Sequence, residues 1–495
     1  MTLFLSVAST ALVISFLSYV TLILVPFIKR TPEKPGDPDQ YDWHFFVPCR
    51  DEAAVIETTM ERLRGRFPQA HVWVIDDDSD DATASLVEAR RQYDDMLHLV
   101  RRVRPDARTG KGPALNAAYR VFRAWLPASA DLDRTIVCVI DADGELAENA
   151  LAQAAGATVF GDPQVGAAQV TVWMKNRNDT KAADGTPLPK LSRFLVRMQD
   201  LEFRTIIAAM QTLRGQTRTV GLGGNGQFTR VSTLDAIDRE KGQPWHGSLL
   251  EDYELGVHVL LAGYEIRHIH DTYVEQEGLV DLKRFLTQRT RWAQGNIQCA
   301  RYLKDILRSP HFGPGGAIES AYYLLLPFLQ LLGFVTWVLL GIAILGGITA
   351  YPGGPGLWVA DNWWLVGVYL VVGVAPFGVW GPVYRKFCEP EASWARAIAW
   401  GLGSWIYSFY TWASSTRAFA RVALKRSGWA KTRRNGEHSH VATRGHKRHR
   451  GSRHTDSREV PSGTSRKGDT ERPHQHGQAR ILPAHSANTG EKTHA

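Results

Sequence analysis

Four long apolar stretches restrict how this chain of 495 residues can fold. Residues 3–28 are almost wholly apolar, and further apolar stretches cover residues 318–350, 362–382 and 397–416. About 20 apolar residues are enough to cross a bilayer as a helix. The sequence therefore predicts an N-terminal membrane helix (residues 1–30) and two to three C-terminal membrane or interfacial helices (residues 313–420), with a polar region between them.

The distribution of basic residues predicts how these helices are oriented. Lys29 and Arg30 follow the first apolar stretch, and residues 385–396 carry three more basic side chains, whereas residues 351–361 carry none. Basic residues mark the cytoplasmic ends of membrane helices. We therefore expect a multi-pass protein of the cell membrane whose central region is cytoplasmic. A signal peptide is disfavoured because the basic residues follow the apolar run.

The central region alternates short apolar strands with helices. A proline-rich linker (residues 31–42) leads into residues 43–310. The predicted strands are His44–Pro48, His71–Ile75 and Thr135–Ile140, and the predicted helices are Ala53–Phe67, Ala82–Tyr93 and Ala114–Ala124. This alternation is typical of an α/β fold with a doubly wound, mostly parallel sheet, in which ligands bind at the carboxyl ends of the strands.

The C-terminal tail and the cysteines exclude several classes of function. Residues 421–495 hold most of the excess of Lys and Arg behind the formal net charge of +8, and few large apolar residues, so we expect a disordered, His-rich tail. Its basic residues lack interleaved aromatic residues, so binding of nucleic acid is not expected. The four cysteines are far apart and predict neither a zinc site nor a disulfide framework: Cys49, Cys138, Cys299 and Cys388.

Acidic side chains follow each predicted strand. The first strand runs into Glu52, the second into Asp76 and Asp77, and the third into Asp141 and Asp143. Two carboxylates one residue apart can hold one Mg²⁺ or Mn²⁺, which in turn can bridge two phosphates. Capping of the next helix is an alternative role for the acids of the second strand, although it accounts for one or two of them only.

Three further segments carry polar groups that suit a phosphorylated ligand. Lys111 stands at the start of a predicted helix, where phosphate binding is favoured. Residues 223–227 form a glycine-rich turn that lets the backbone approach a ligand closely. Glu251 and Asp252 offer a carboxylate for general base catalysis. Equally, Ser248 could cap a helix with Glu251 three residues later.

The sequence Gln288-Arg289-Thr290-Arg291-Trp292 completes an ordered set of motifs. Alone, an Arg and a Trp near an apolar stretch could be an interfacial anchor. Together with the upstream acids, the set resembles the D, DxD, ED, QxxRW signature of membrane-integrated family 2 glycosyltransferases, which include cellulose, chitin, hyaluronan and poly-N-acetylglucosamine synthases and some glycolipid synthases. The resemblance covers roughly residues 44–300, and Trp429–Arg433 is similar to a C-terminal element of many members. Asp78 and Leu250 depart from the family pattern, which usually has Gly and Thr there.

The resemblance implies a GT-A-type fold and a role for each site residue. Contacts with the nucleotide would come from Glu52, Asp76, Asp77 and Lys111. Asp141 and Asp143 would hold the diphosphate through Mg²⁺ or Mn²⁺, and Arg291 would bind it directly. Asp252, with Glu251 beside it, would be the catalytic base. The acceptor would be held by Gln288, Trp292 and Asn225. Specificity would rest on the shape of the pocket, to which Asn225, Gln227, Trp173 and Trp245 would contribute.

These roles predict an inverting, metal-dependent glycosyltransferase. The expected reaction moves a sugar from a UDP-sugar to a growing polysaccharide at the membrane. The alternative is a glycolipid synthase that makes a single transfer to a lipid acceptor. A nucleotide-binding membrane transporter is a more distant alternative, and it is disfavoured because the apolar stretches hold almost no ionisable residues. A homo-oligomer is compatible with the sequence, which contains no signal for or against it.

Overall fold

The computed structural model describes residues 2–426. The predictions for residues 427–495, including the disordered tail and the element Trp429–Arg433, lie outside the described residues. Eight strands form a single sheet: β1 Asp42–Cys49, β2 His71–Asp77, β3 Leu97–Arg102, β4 Thr135–Val139, β5 Glu145–Leu146, β6 Val165–Met174, β7 Gln227–Arg230 and β8 Glu265–Gln276. Their order across the sheet is β3-β2-β1-β4-β7-β6-β8-β5.

The sheet combines a parallel half with a mixed half. β1 pairs in parallel with β2 and β4, and β2 with β3, so the carboxyl ends of these four strands meet at one edge. β7 runs antiparallel to β4 and β6, and β5 runs antiparallel to β8, whereas β6 and β8 are parallel. The α/β fold is confirmed. The prediction of a mostly parallel sheet describes the first half, where the site lies.

Helices cover both faces of this sheet, which explains why its strands are continuous apolar runs. From the N-terminus to residue 261 the helices are α1 Thr2–Lys29, α2 Ile56–Arg66, α3 Thr83–Arg91, α4 Lys111–Trp125, α5 Ala150–Ala154, α6 Lys190–Leu201, α7 Ala208–Thr217, α8 Val231–Lys241 and α9 Glu251–Leu261. On one face, α4, α8 and α9 bury Phe46 and Trp73. On the other face, α2, α3 and α5 bury Phe45.

One helical stretch contains an extra residue per turn. Glu202–Ile207 forms a π-helix between α6 and α7, so the two α-helices and this segment are continuous. π-Helices are rare in proteins, and those that do occur are often found at functional sites. This one places Glu202 and Phe203 on the wall of the cavity described below.

The helices after residue 281 begin with the segment that carries the Gln288–Trp292 motif. They are α10 Leu282–Cys299, α11 Leu303–Arg308, α12 Pro314–Thr349, α13 Pro355–Asn362, α14 Trp364–Tyr369, α15 Ala375–Gly378, α16 Trp380–Phe387, α17 Trp394–Ser408 and α18 Tyr410–Ala423. A π-helix, Leu370–Val374, joins α14 to α15. Asp281 is the N-cap of α10, and its carboxylate accepts a hydrogen bond from the backbone N–H of Arg284 at 2.8 Å.

Three helical segments are long and apolar enough to cross a membrane: Ser9–Lys29, Pro314–Thr349 and Gly367–Phe387. The apolar stretch at residues 397–416 does not form one span, because it is divided between α17 and α18 at Phe409. Two of these candidate helices lie C-terminal to the sheet, and the number of spans, two to three from the sequence, stays a prediction. A buried apolar cluster, which includes Phe27, Phe285, Tyr384 and Tyr407, joins α1 to the central region and to the C-terminal helices.

Candidate active site

A cavity of about 530 Å³ lies at the carboxyl ends of β1, β2 and β4, within the size range of small-molecule sites. The structure brings almost all of the predicted site residues to its wall: Glu52, Asp77, Lys111, Asp141, Asp143, Asn225, Glu251, Asp252, Gln288, Arg291 and Trp292. These side chains come from segments that are up to 240 residues apart in the chain, roughly half its length. The parallel strand ends, together with α9 and α10, are what bring them together.

Asp76 was predicted to contact the nucleotide, and it does not reach the cavity wall. It is fully buried, and its Oδ1 accepts a hydrogen bond from the backbone N–H of Ser79 at 3.2 Å. Burial raises the pKa of Asp76. The neighbouring Asp77 lines the cavity and forms an ion pair with Arg102. Alternation along a strand explains the difference, because successive side chains point to opposite faces.

The predicted departure at Asp78 is accommodated by the backbone. Asp78 has φ +62°, which places it in the left-handed region that Asp tolerates better than most residues. The side chain of Asp78 forms ion pairs with Arg104 at 2.5 Å and with Arg108 at 3.4 Å. The turn after β2 is therefore retained without the glycine that the family usually has there.

Lys111 is the cation at the centre of the site. Its Nζ donates hydrogen bonds to Asp141 Oδ1 at 2.6 Å and to the backbone oxygen of Gly224 at 3.0 Å. Burial by itself disfavours the charged amine, but the carboxylates of Asp141, Glu251 and Asp252 outweigh burial and raise the pKa of Lys111. The lysine therefore stays protonated among three acids, where it can also meet an anionic ligand.

Asp141 and Asp143 follow β4, and their surroundings fit a hard divalent cation. The side chain of Asp141 is 40% exposed to the cavity, and Asp143 accepts a hydrogen bond from the backbone N–H of Glu277 at 3.0 Å. Among residues 2–426 there is no group of three or more His, Cys, Asp or Glu that could hold a metal ion by itself. Two carboxylates fit Mg²⁺ or Mn²⁺ where phosphate oxygens and water complete the coordination.

Asn225 supports Asp141 from the glycine-rich turn. Its Oδ1 accepts a hydrogen bond from the backbone N–H of Asp141 at 3.1 Å, and its Nδ2 donates to Gln276 Oε1 at 3.1 Å. The side chain is 2% exposed. Its contact with an acceptor stays a prediction, and its observed contacts are with the protein.

Glu251 and Asp252 form the first turn of α9, so the helix begins two residues later than the capping alternative requires. Ser248 does not pair with Glu251; instead its backbone N–H donates to Glu254 Oε2 at 2.8 Å. Glu251 and Asp252 are left to line the cavity. A side chain at Gly224, which has φ +72°, would place its Cβ 2.5 Å from Asp252 Oδ2, so only glycine allows this approach.

The two acids of α9 are poised to bind protons more tightly than exposed carboxylates. Burial raises the pKa of Glu251 to about 7, with a further contribution from the charge of Asp252, while Lys111 acts in the opposite direction. Burial also raises the pKa of Asp252, again against the effect of Lys111. A carboxylate with a raised pKa is a better proton acceptor near neutral pH.

The motif on α10 faces the cavity with Gln288, Arg291 and Trp292. Phe203 packs edge-on against the Trp292 ring, with centroids 6.1 Å apart. The guanidinium of Arg289 lies 4.3 Å from the centre of the same ring. Trp292 is therefore held between an aromatic ring and a cation, with the cavity in front of it.

Sequence reasoning missed the polar cluster that fixes Arg289. Arg289 Nη2 donates to Glu202 Oε2 at 2.6 Å, and the hydroxyls of Tyr407 and Tyr410 donate to Glu202 at 2.8 Å and 2.5 Å. Glu202, Arg289 and Tyr410 all line the cavity. The partners are between 87 and 208 residues from Glu202 in the chain, so no local motif could have revealed them.

Another part of the cavity wall comes from the C-terminal helices. It is formed by side chains of α12 and α18, namely Tyr323, Leu326, Pro327, Gln330, Tyr410, Thr411, Ser414 and Ser415. One cavity thus connects the acidic strand ends with a helix that is apolar enough to cross a membrane. The other candidates for pocket shape, Gln227, Trp173 and Trp245, do not line it.

The chain is similar to known proteins over its central region and beyond. The model of the family described as "Glycosyltransferase like family 2" matches residues 41–295. A beta-monoglucosyldiacylglycerol synthase of Synechocystis sp. is 27% identical over 438 residues, covering 83% of this chain and 81% of that protein. A protein of the same name from Trichormus variabilis is 28% identical over 261 residues, so this chain matches about half of it (49%).

A solved structure resembles most of the chain. The mannosyltransferase PcManGT of Pyrobaculum calidifontis, solved with GDP-Man and Mn²⁺, has a TM-score of 0.54 and 17% identity. The match covers 85% of this chain and 99% of that one, and it shows the fold alone. With the match of the family model to more than half of its length, the chain belongs to glycosyltransferase family 2 and is a glycosyltransferase of the GT-A type.

Proposed function

We propose that this protein is a glycolipid synthase, which transfers one sugar from a nucleotide-sugar, with UDP-glucose as the first candidate, to the hydroxyl of a diacylglycerol. The observation that carries the proposal is the cavity shared by the acidic strand ends, the candidate membrane helix α12 and the helix α18 beside it. A hydrophilic donor and a lipid acceptor need such a site, because they arrive from different phases.

The comparisons favour this alternative over polysaccharide elongation. The relatives that align with this chain over 83% and 52% of its length are named for synthesis of a glucosyl lipid. The Gln288-x-x-Arg291-Trp292 motif is compatible with both kinds of product. Product size distinguishes the two functions, since elongation gives a ladder and glycolipid synthesis gives one lipid.

Asp252 is the proposed catalytic base. Its carboxylate takes the proton of the acceptor hydroxyl, whose oxygen forms the new bond to the anomeric carbon of the sugar. The bond from that carbon to the diphosphate breaks, and the electron pair leaves with the nucleoside diphosphate. Because one displacement occurs on the face opposite the leaving group, the anomeric configuration is inverted. Burial of Asp252 and its proximity to Lys111 support this assignment.

Two cationic side chains are placed to stabilise the leaving diphosphate. Lys111 and Arg291 bring positive charge to the cavity. The side chain of Asn225 accepts a hydrogen bond from the backbone N–H of Asp141 and holds that residue in place. Mg²⁺ or Mn²⁺, bound by Asp141 and Asp143, would neutralise charge on the diphosphate. Glu52 and Asp77 are proposed to contact the nucleoside, and Gln288 and Trp292 the acceptor.

The test is sugar transfer by the full chain in detergent or lipid nanodiscs. Radiolabelled UDP-glucose, and a panel of other nucleotide-sugars, would be supplied with diacylglycerol and Mn²⁺ or Mg²⁺. We expect one labelled lipid on a thin-layer plate and no polymer. Asp252→Asn should lose this product by a factor of about 10²–10⁴, while still binding the nucleotide.

Three outcomes separate the possibilities. A labelled ladder that does not depend on diacylglycerol would assign polysaccharide elongation instead. Release of the nucleoside diphosphate with no labelled lipid would show donor hydrolysis without this acceptor. If Asp252→Asn made as much product as the unaltered enzyme, Asp252 would not be the catalytic base. The matched control is Asp305→Asn, which removes an exposed carboxylate outside the cavity.

A further inference from the structure

The cavity wall formed by α12 contains a polar group within an apolar helix. Between Ser320 and Thr336, Gln330 is the only amide side chain of α12, and the remaining residues apart from two tyrosines have apolar side chains. A polar side chain inside a membrane helix is unfavourable, and it is retained where it has a binding or catalytic role. Gln330 lines the cavity, whereas Thr336 does not.

A serine from α18 fixes the orientation of this amide. Ser415 Oγ donates a hydrogen bond to Gln330 Oε1 at 2.6 Å, so the Oε1 atom is turned toward α18. The Nε2 atom retains two N–H donors. Within residues 2–426, no oxygen accepts a hydrogen bond from Nε2. The amide therefore presents donors to the cavity.

The charges around this part of the cavity are already compensated. Arg289 is paired with Glu202 at 2.6 Å, and Arg214 with Glu319 at 2.7 Å. Each guanidinium has a buried carboxylate as its partner. A neutral ligand suits these surroundings better than a lipid phosphate, which would need additional positive charge.

The position of Gln330 along α12 fits an ester group. The Tyr323 ring lies 4.8 Å from the ring of Tyr253, the residue after the proposed base. Gln330 is seven residues further along the helix, a rise of about 10 Å. A glycerol hydroxyl and an acyl ester carbonyl, with a hydrogen bond of about 3 Å at each end, cover a distance of that order.

We propose that Gln330 is a specificity residue for the lipid acceptor, whose ester carbonyl accepts a hydrogen bond from Nε2 while Ser415 holds the amide in place. This inference rests on the proposed function. It adds that the enzyme recognises the ester linkage of the diacylglycerol in addition to its free hydroxyl and apolar chains. The apolar neighbours of Gln330 enclose the chains, and the amide selects their linkage.

The experiment compares an ester-linked diacylglycerol with its ether-linked dialkylglycerol, which lacks the carbonyls. For the full chain in nanodiscs, we expect the KM for the ester lipid to be lower by about 3- to 10-fold, the worth of one hydrogen bond. In Gln330→Leu this preference should disappear through a higher KM for the ester lipid, with little change in the KM for the nucleotide-sugar. Ser415→Ala should reduce the preference, since the amide loses its fixed orientation.

Thr336→Val is the matched control, because it removes a polar group from the same helix outside the cavity wall. It should keep the preference of the unaltered enzyme. Equal KM values for ester and ether lipids in the unaltered enzyme would overturn the inference and leave the proposed function intact. Equal loss of both lipids in Gln330→Leu would assign it a structural role only. Transfer to neither lipid would contradict the proposed function itself.

Discussion

Two opposing effects on its pKa distinguish Asp252 from an exposed carboxylate. Burial raises its pKa, and the amine of Lys111 lowers it. The balance between them sets the pH at which this side chain can accept a proton. The base acts in its deprotonated form, so activity falls as the pH falls through this pKa.

We expect the acidic limb of the profile of kcat/KM against pH to lie above the usual range of Asp, about pH 4. Lys111→Met removes the influence that lowers the pKa, so the limb should move to higher pH, in addition to any loss of rate. The measurement is transfer of labelled sugar between pH 4.5 and 9. A limb that stays in place in Lys111→Met would show that another group controls the titration.

The backbone conformation at Asp78 is compatible with the residue type in the sequence, whereas the side-chain contacts of Glu251 could not be predicted. Asp78 stands where the family usually has Gly, and Asp tolerates positive φ, so the family resemblance is compatible with the left-handed conformation that the structure has. For Ser248 and Glu251, the sequence allowed a capping box. In the structure the helix begins at Glu251, and the side chain of Glu254, not that of Glu251, accepts the hydrogen bond from the backbone N–H of Ser248. The spacing of residues in the sequence does not decide whether Glu251 or Glu254 accepts the hydrogen bond from Ser248.

At the scale of elements, a buried ion pair ties α10 to the C-terminal helices. Glu202 accepts hydrogen bonds from Arg289, Tyr407 and Tyr410. Removing one partner of a buried pair leaves the other charge without compensation, which costs more than the pair itself contributes. The cluster therefore controls how α10 and Trp292 sit relative to α17 and α18.

Glu202→Gln should lower the free energy of unfolding by about 3–5 kcal/mol, because Arg289 loses its buried partner. Glu202→Gln combined with Arg289→Met should recover part of this loss, since no uncompensated charge remains. Thermal unfolding in detergent measures both. Strictly additive effects of the two substitutions would argue against a coupled pair.

A stack of histidines at the opposite edge of the sheet should make the fold sensitive to acid. The His98 ring stacks on Trp73 at 4.0 Å, and His71 Nδ1 lies 3.0 Å from His98 Nε2. Burial lowers the pKa of His71 to about 4 and that of His98 to about 3. Between these values and about 6.5 the unfolded chain binds more protons, so stability falls as the pH falls below about 6.5.

His98→Phe keeps a ring against Trp73 and removes one titrating group. We expect a smaller drop in melting temperature between pH 7 and pH 4.5 than in the unaltered protein. His311→Phe, at an exposed histidine, serves as the control and should leave the drop unchanged. An identical drop in His98→Phe would mean that other groups dominate the acid response.

The elements that sequence predicted best are those with an uninterrupted apolar run. β1, β2 and β4 begin and end within two residues of the predicted strands. The prediction for α2 began three residues early, since residues 51–55 form a turn in which the Glu52 N–H donates to Thr83 Oγ1 at 2.8 Å. The cluster around Glu202 escaped prediction because folding alone brings its members together.

At the scale of the whole molecule, orientation across the membrane is open to direct measurement. Basic residues after α1 and near Arg385 predict that the site faces the cytoplasm. The segment that contains Gly356 then lies on the other side. Both Gly356 and Lys304 are exposed, so each accepts a cysteine without disturbing the core.

Gly356→Cys should react with a membrane-impermeant maleimide on intact cells, and Lys304→Cys should react only after the cells are opened. The background is a variant with all four native cysteines replaced by serine or alanine. Labelling of Lys304→Cys on intact cells would place the catalytic domain outside. Labelling of neither would indicate that Gly356 is covered by protein or lipid.

The π-helix Glu202–Ile207 has a consequence for how this protein can vary. Each residue of a helix rotates the chain by about 100°, so an added or removed residue turns everything downstream onto another side. Here α7 presents Arg214 to Glu319, and the segment before it presents Glu202 to Arg289. Both contacts depend on the length of one continuous helix. A deletion within Glu202–Ile207 would rotate one ion-pair partner away from its acid or base and so break two buried ion pairs together. In proteins descended from this one, substitutions in this segment should therefore be tolerated far more readily than insertions or deletions.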